Sequence, residues 1–147
     1  MIEMNINAKK LTSTAVLPRR ETKGSAGADL SADISEPIII RPHETVKIPT
    51  GLAIELPEGT YGAVLARSGL ATKQGLRPAN CEGICDEDYR GEYIVALHND
   101  SNEPRTVEPG QRIAQLVIRP YIAANYVECN ELSETERGSG GFGSTGK

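Results

Sequence analysis

The sequence predicts an all-β domain followed by a glycine-rich arm, and three observations carry that prediction. Short β-branched or alternating apolar runs fill residues 36–69, "EPIIIRPHETVKIPTGLAIELPEGTYGAVLARSG". Pro37, Pro42, Pro49, Pro57 and Gly59 separate them, interrupting any helix and marking turns. After Ser133 the chain is polar and rich in glycine. Short strands recurring about every ten residues point to a sandwich, jelly roll or barrel.

Taken in order, "TVKIPTGLAIEL" sets Val46, Ile48, Leu52, Ile54 and Leu56 mostly at alternate positions, as a half-buried strand pair would. Helical periodicity is confined to a turn or two near "RSGLATKQGL". "EYIVALHND" and "RIAQLVIRPYIAANYVE" read as two further long strands bracketing "SNEPRTVEPGQ". Strand signals stop near Glu128, and no internal repeat is present. The organisation expected is a β core over residues 1–132 and a mobile arm over 133–147. The arm contains Phe142, the single Phe of the chain, and has almost nothing else apolar to bury.

The length of 147 residues suits one domain. A chain of that size hides roughly 68–70% of its unfolded surface. With 38% hydrophobic residues, no Trp and five Tyr, its core must rest on Ile, Val, Leu and Ala. A net charge of −4 offers no basic excess for a nucleic-acid backbone. Cys81, Cys85 and Cys129 are odd in number and form no C-x-x-C pair, which argues against a disulfide framework and a zinc site. Reduced thiols of a cytoplasmic protein are the expectation. The opening "MIEMNINAKK" lacks a signal-peptide run, and no apolar stretch is long enough to span a membrane.

Five stretches carry more than strands require. In "SAGADLSA", small residues around Asp29 permit close backbone approach, as would a turn entering a strand. In "ARSGLA", Arg67 offers a forked donor, Ser68 a hydroxyl and Gly69 an accessible main-chain N–H, which suits an anion as well as an ordinary turn. "ANCEGICDEDYRGEYIV" packs Asp86, Glu87 and Asp88 before Tyr89, Arg90 and Gly91. Strand alternation would send Asp86 and Asp88 to one face, and a hairpin bent there could aim a carboxylate and a ring into one pocket. A charged hairpin tip has the same pattern. In "RIAQLVI", Arg112 and Gln115 interrupt an apolar strand, either towards solvent or for a polar contact. The fifth stretch is the arm, 137–146.

Together "SAGADLSA", "ARSGLA", "GICDEDYRGE", "RIAQL" and "RGSGGFGSTG" resemble, in matching order, the five motifs of the trimeric dUTP pyrophosphatases, or dUTPases. The resemblance spans residues 25–146, and its third and fifth motifs are the most specific. It implies a jelly roll of the β-clip type, a homotrimer with active sites at subunit boundaries, and cleavage of dUTP to dUMP and pyrophosphate with Mg2+. Asp86 takes the place of the family's general base, which activates a water against the α-phosphorus. Tyr89 matches the tyrosine that packs on the deoxyribose and leaves no room for a 2′-hydroxyl. Asn80, with main-chain groups from Gly83 through Ile84, Cys85 and Ile94, matches the uracil pocket. Arg67, Ser68, Gly69 and Gln115 match phosphate-binding positions. In the arm, Phe142 matches the residue stacking on uracil, Arg137 the γ-phosphate ligand, and Gly143, Ser144 and Thr145 further phosphate contacts.

The resemblance implies no direct protein ligand for Mg2+; it leaves Asp29 between the metal's water shell and an interface role. Two departures stand out. Cys85 occupies a position usually held by Ile or Val and sets a thiol beside the site, where its modification would inhibit. Ala66 replaces a frequent proline. Rival readings are a dCTP deaminase on the same jelly roll, which lacks this "D-x-D-Y-x-G" stretch, a regulatory binding protein, and an unrelated lectin-like sandwich.

Overall fold

A computed structural model describes residues 4–142. Among these residues the chain forms eleven short strands and one helix: β1 (Asn7–Lys10), β2 (Ala28–Ser31), β3 (Ile38–Ile40), β4 (Thr45–Pro49), β5 (Leu52–Glu55), β6 (Thr60–Leu65), α1 (Ser68–Gln74), β7 (Leu76–Pro78), β8 (Glu82–Cys85), β9 (Ile94–Asn99), β10 (Arg105–Val107) and β11 (Arg112–Pro120). No helix among them is long and apolar enough to cross a membrane.

Every strand pair is antiparallel. The four-stranded sheet runs β2-β11-β6-β8 and the three-stranded sheet β4-β9-β7, with β1-β5 and β10-β3 as two-stranded ribbons. Leu30, Ile40, Ile48, Leu52, Leu97 and Ile113 are fully buried within one hydrophobic cluster, so the expected aliphatic core is what the fold builds.

Three features depart from the sequence expectation. β4 and β5 are consecutive, but they do not pair with each other. Gly51, at φ +65°, turns the chain so that β4 joins β9 and β5 joins β1. Likewise β8 and β9 lie in different sheets, so residues 86–93 cross between sheets and form no paired hairpin. Finally β11 ends at Pro120, short of the long strand expected. Beyond it Ile122, Tyr126, Val127 and Leu132 are exposed, and none of the described residues covers them. The helix is as short as expected, two turns closed by Gly75 in the left-handed region.

Two buried polar side chains tie the elements together. Thr50 donates to the Tyr93 carbonyl. Asn99, with no exposed surface, donates to the carbonyls of Ile40 (3.0 Å) and Glu103 (2.8 Å) and accepts from Ser101 N and Oγ. Removing that amide leaves several groups unpaired in a dry core. Asn99→Ala is therefore expected to destabilise the fold by about 2–3 kcal/mol. Thermal melting at fixed protein concentration should show a fall of roughly 5–10 °C; an unchanged melting temperature would mean that water replaces the amide without loss.

Candidate active site

Functional side chains gather at the two ends of β6. At one end Asp29 in β2 lies opposite Gln115 in β11, and Gln115 lies opposite Leu65 in β6. The chain then turns through Ala66 and Arg67 into α1. Gln115 donates its side-chain N–H to the Ala66 carbonyl at 2.8 Å, tying β11 to that turn. The alternatives left open for this glutamine close on a polar contact. Its amide also lies against Gly27, where any Cβ would overlap it, which accounts for the glycine in that motif.

The Asp29 side chain is 14% exposed, and both its oxygens are engaged. Oδ1 accepts from Arg67 Nε at 2.8 Å, and Oδ2 from Arg112 Nη1 at 3.0 Å. Arg112 Nη1 also donates to Glu21 Oε1 at 2.7 Å. Asp29 thus orients Arg67 by its Nε, and among the described residues no protein group takes the terminal N–H groups. Ser68 and Gly69 open α1, whose first turn has neither a capping side chain nor an acidic residue. A Cβ on Gly69 would meet open space. Guanidinium, hydroxyl and uncapped N–H groups at one corner can bind an anion.

The other end of β6 carries the acid. β8 pairs along β6 with Gly62 opposite Cys85 and Val64 opposite Gly83. Asn80 lies over Gly83, and its amide makes no hydrogen bond among the described residues. Ile84 faces outward while Cys85 packs against the core. β8 ends there, and the Tyr89 N–H returns to the Asp86 carbonyl at 3.1 Å. Asp86 to Tyr89 is therefore a turn, and strand alternation does not govern its three carboxylates. Asp86 is exposed, with no hydrogen bond or ion pair to its carboxylate among the described residues. It lines an open recess of about 520 Å3 with Tyr61, Ile84, Glu87, Asp88 and Tyr121. The Tyr89 hydroxyl donates to the Glu92 carbonyl at 2.9 Å, and its ring covers Gly91 so closely that a Cβ there would collide. Ile94, half exposed, begins β9 opposite Pro49.

Cys85 packs as a small apolar residue would in place of Ile or Val. Its side chain turns inward, and burial pushes its thiol pKa up, so little of the reactive thiolate is present near neutral pH. Beside it is the buried Tyr93 hydroxyl, which lacks a well-formed hydrogen bond and whose own pKa burial drives up. The Tyr93 ring packs on Tyr89 with centroids 6.1 Å apart. Tyr93 carries no functional signal in the sequence pattern. Nor does that pattern point to Glu21, which is 91 residues from its partner Arg112.

The two ends share no lining residue. Asp86 lies near Tyr61, and Arg67 follows Leu65 at the far end of β6, so the length of that strand, roughly 15–20 Å of backbone, lies between the segments that carry them. The arm is apart from both in its contacts. Among the described residues the Arg137 side chain donates only to the Gly140 carbonyl, at 2.9 Å, and Phe142 is fully exposed. Gly143, Ser144 and Thr145 lie outside the described residues.

Comparison with known proteins bears on these clusters. The model of the dUTPase family matches residues 13–146. The deoxyuridine 5'-triphosphate nucleotidohydrolase of Desulfitobacterium hafniense is 53% identical over 131 residues, 88% of this chain and 87% of that protein. That of Treponema denticola is 53% identical over 137 residues, 93% of this chain and 95% of that protein. The solved structure of Staphylococcus bacteriophage 80alpha dUTPase with dUpNHpp aligns with a TM-score of 0.84 at 29% identity, covering 97% of this chain and 99% of that one. The family match over nearly the whole chain and the identities of 53% decide the matter: the chain belongs to the dUTPase family.

Proposed function

We propose that this chain is a dUTP diphosphatase, splitting dUTP into dUMP and pyrophosphate, which would keep uracil out of DNA and supply dUMP for dTMP synthesis. The observation that carries the reading is the pair of half-sites, an unpaired acid and an open guanidinium corner, at opposite ends of β6. Neither half suffices alone. A homotrimer that sets the Asp86 end of one copy against the Arg67 end of the next would complete the site and cover the exposed apolar residues after Pro120.

In this reading Asp86 accepts a proton from a water whose oxygen bonds to the α-phosphorus. The bond from that phosphorus to the bridging oxygen breaks, and pyrophosphate leaves. An exposed, unpartnered carboxylate suits the step, which asks for positioning more than for a strong base. Arg67, Ser68 and Gly69 hold the phosphates, with Gln115 fixing the turn that presents them. Asn80 and main-chain groups of Gly83, Ile84, Cys85 and Ile94 read the base, and the Tyr89 ring excludes a 2′-hydroxyl. Mg2+ enters with the triphosphate, whose hard oxygens suit it, and offsets part of the phosphate charge. The engagement of both Asp29 oxygens by guanidinium groups favours its orienting role over a place in the metal's water shell.

The arm is the lid. Ordering about ten residues costs on the order of 10 kcal/mol of backbone entropy. Stacking of Phe142 on a base returns only about 1–3 kcal/mol. Closure therefore needs the phosphate contacts of Arg137, Gly143, Ser144 and Thr145 as well.

Asp86→Asn is expected to lower kcat about 10²–10⁴-fold with KM within a few-fold, measured as pyrophosphate release from dUTP. Retained turnover would remove Asp86 from the chemistry. Asp86→Asn and Arg67→Ala chains, each inactive alone, should regain about a quarter of wild-type activity when co-refolded in equal amounts, because mixed assemblies rebuild intact sites. Mixtures no more active than their parents would place acid and guanidinium on the same chain's site.

A further inference from the structure

Asn80 has no side-chain hydrogen bond among the described residues, so its position is inherited from the turn that carries it. That turn is narrow. The Cys81 N–H returns to the Pro78 carbonyl at 3.2 Å, the Glu82 N–H to the Asn80 carbonyl at 2.6 Å, and Cys81 sits in the left-handed region at φ +60°. The Ala79 N–H anchors the start of the turn to the Ala96 carbonyl in β9.

One side chain outside the five motifs grips this turn. Arg77 in β7 meets Asp100 through a two-pronged contact, Nε to Oδ2 at 2.5 Å and Nη2 to Oδ1 at 3.0 Å. A guanidinium is planar, so fixing Nε and Nη2 on a carboxylate directs Nη1 to the opposite side. Nη1 there donates to the Pro78 carbonyl at 3.1 Å, to the Ala79 carbonyl at 3.4 Å, and towards Cys81 Sγ at 3.8 Å. His98 Nε2, 3.4 Å from Asp100 Oδ1, completes the cluster. The bond from Arg77 holds the Asp100 carboxyl below the usual carboxylate range.

We propose that Arg77, braced by Asp100, is a positioning residue for base recognition: it clamps the 78–81 turn and through it sets the reach of Asn80. The proposal rests on the dUTP reading above, because it gives that site a determinant of base selectivity. Arg77 and Asp100 are 33% and 45% exposed, and ion pairs so exposed add little to stability. The clamp therefore acts on placement. A lysine cannot replace it, since an ammonium has no second prong to hold the carboxylate while reaching the carbonyls.

The test compares Arg77→Lys and Asp100→Asn in a Cys129→Ser background. Each is expected to raise KM for dUTP about tenfold and to cut the preference for dUTP over dCTP by about the same factor, the loss of one charge-assisted bond. kcat should change less than about twofold, because the acid and the phosphate corner are untouched. The double variant should be no worse than the weaker single one, as for two residues acting as one unit. Released from the clamp, Cys81 should react with a disulfide reagent about fivefold faster or more, while buried Cys85 stays slow. KM, selectivity and thiol rate all within twofold of the parent would overturn the proposal. A parent chain that does not hydrolyse dUTP would instead overturn the functional reading. The thiol rate would then decide by itself whether Arg77 holds the turn.

Discussion

Strand β6 is hydrogen-bonded to β11 on one side and to β8 on the other, and the layout of the candidate site follows from that double pairing. The β11 register sets Gln115 beside Leu65 and Asp29. The β8 register carries Cys85 to Gly62 and so delivers Asp86 to the far end. A register slip of one residue would turn Cys85 outward and Ile84 into the core. The identity of β6 explains its tolerance of this crowding. Gly62 leaves space where a Cβ would press on Leu116, Cys85 and Leu56.

Electrostatic order at the anion corner comes from sharing. Asp29 satisfies two guanidinium groups, and Arg112 in turn divides itself between Asp29 and Glu21. Each charge in the series is compensated within the protein, yet Arg67 keeps its terminal donors for a ligand. At the opposite end no group among the described residues compensates Asp86 in this way. This contrast, more than any single distance, underlies the proposed division into a binding corner and a reactive one. Arg77 and Asp100 repeat the device on the second sheet, where two prongs on a carboxylate aim the third nitrogen at a backbone turn.

Much of this was legible in the sequence, for physical reasons that differ by residue. The aliphatic runs around Ile48, Leu52 and Ile54 announce burial, because a chain with one Phe and no Trp has little else to bury. The short helix, the glycines and the motif residues are local in origin and could be read locally. Strand partners were not. The pattern around Gly51 states which side chains face inward but not which strand lies alongside. Apparent hairpins at 45–56 and 82–99 therefore proved to be crossings between sheets. Gln115 was ambiguous for a similar reason, since its partner, the Ala66 carbonyl, lies 49 residues away. Glu21 and Tyr93 acquire meaning only from contacts that chain folding creates.

The crossing of residues 86–93 from one sheet to the other has a mechanical consequence. The Tyr93 N–H is moored to the Leu52 carbonyl and the Glu87 carboxylate to the Gly59 N–H, so the acid's loop is strung between two bodies that share a core. Relative sliding of those bodies would shift both moorings of the loop that carries Asp86. If Asp86 acts as proposed, a methyl group trimmed from the interior between those bodies would be felt at the acid as well as in the fold.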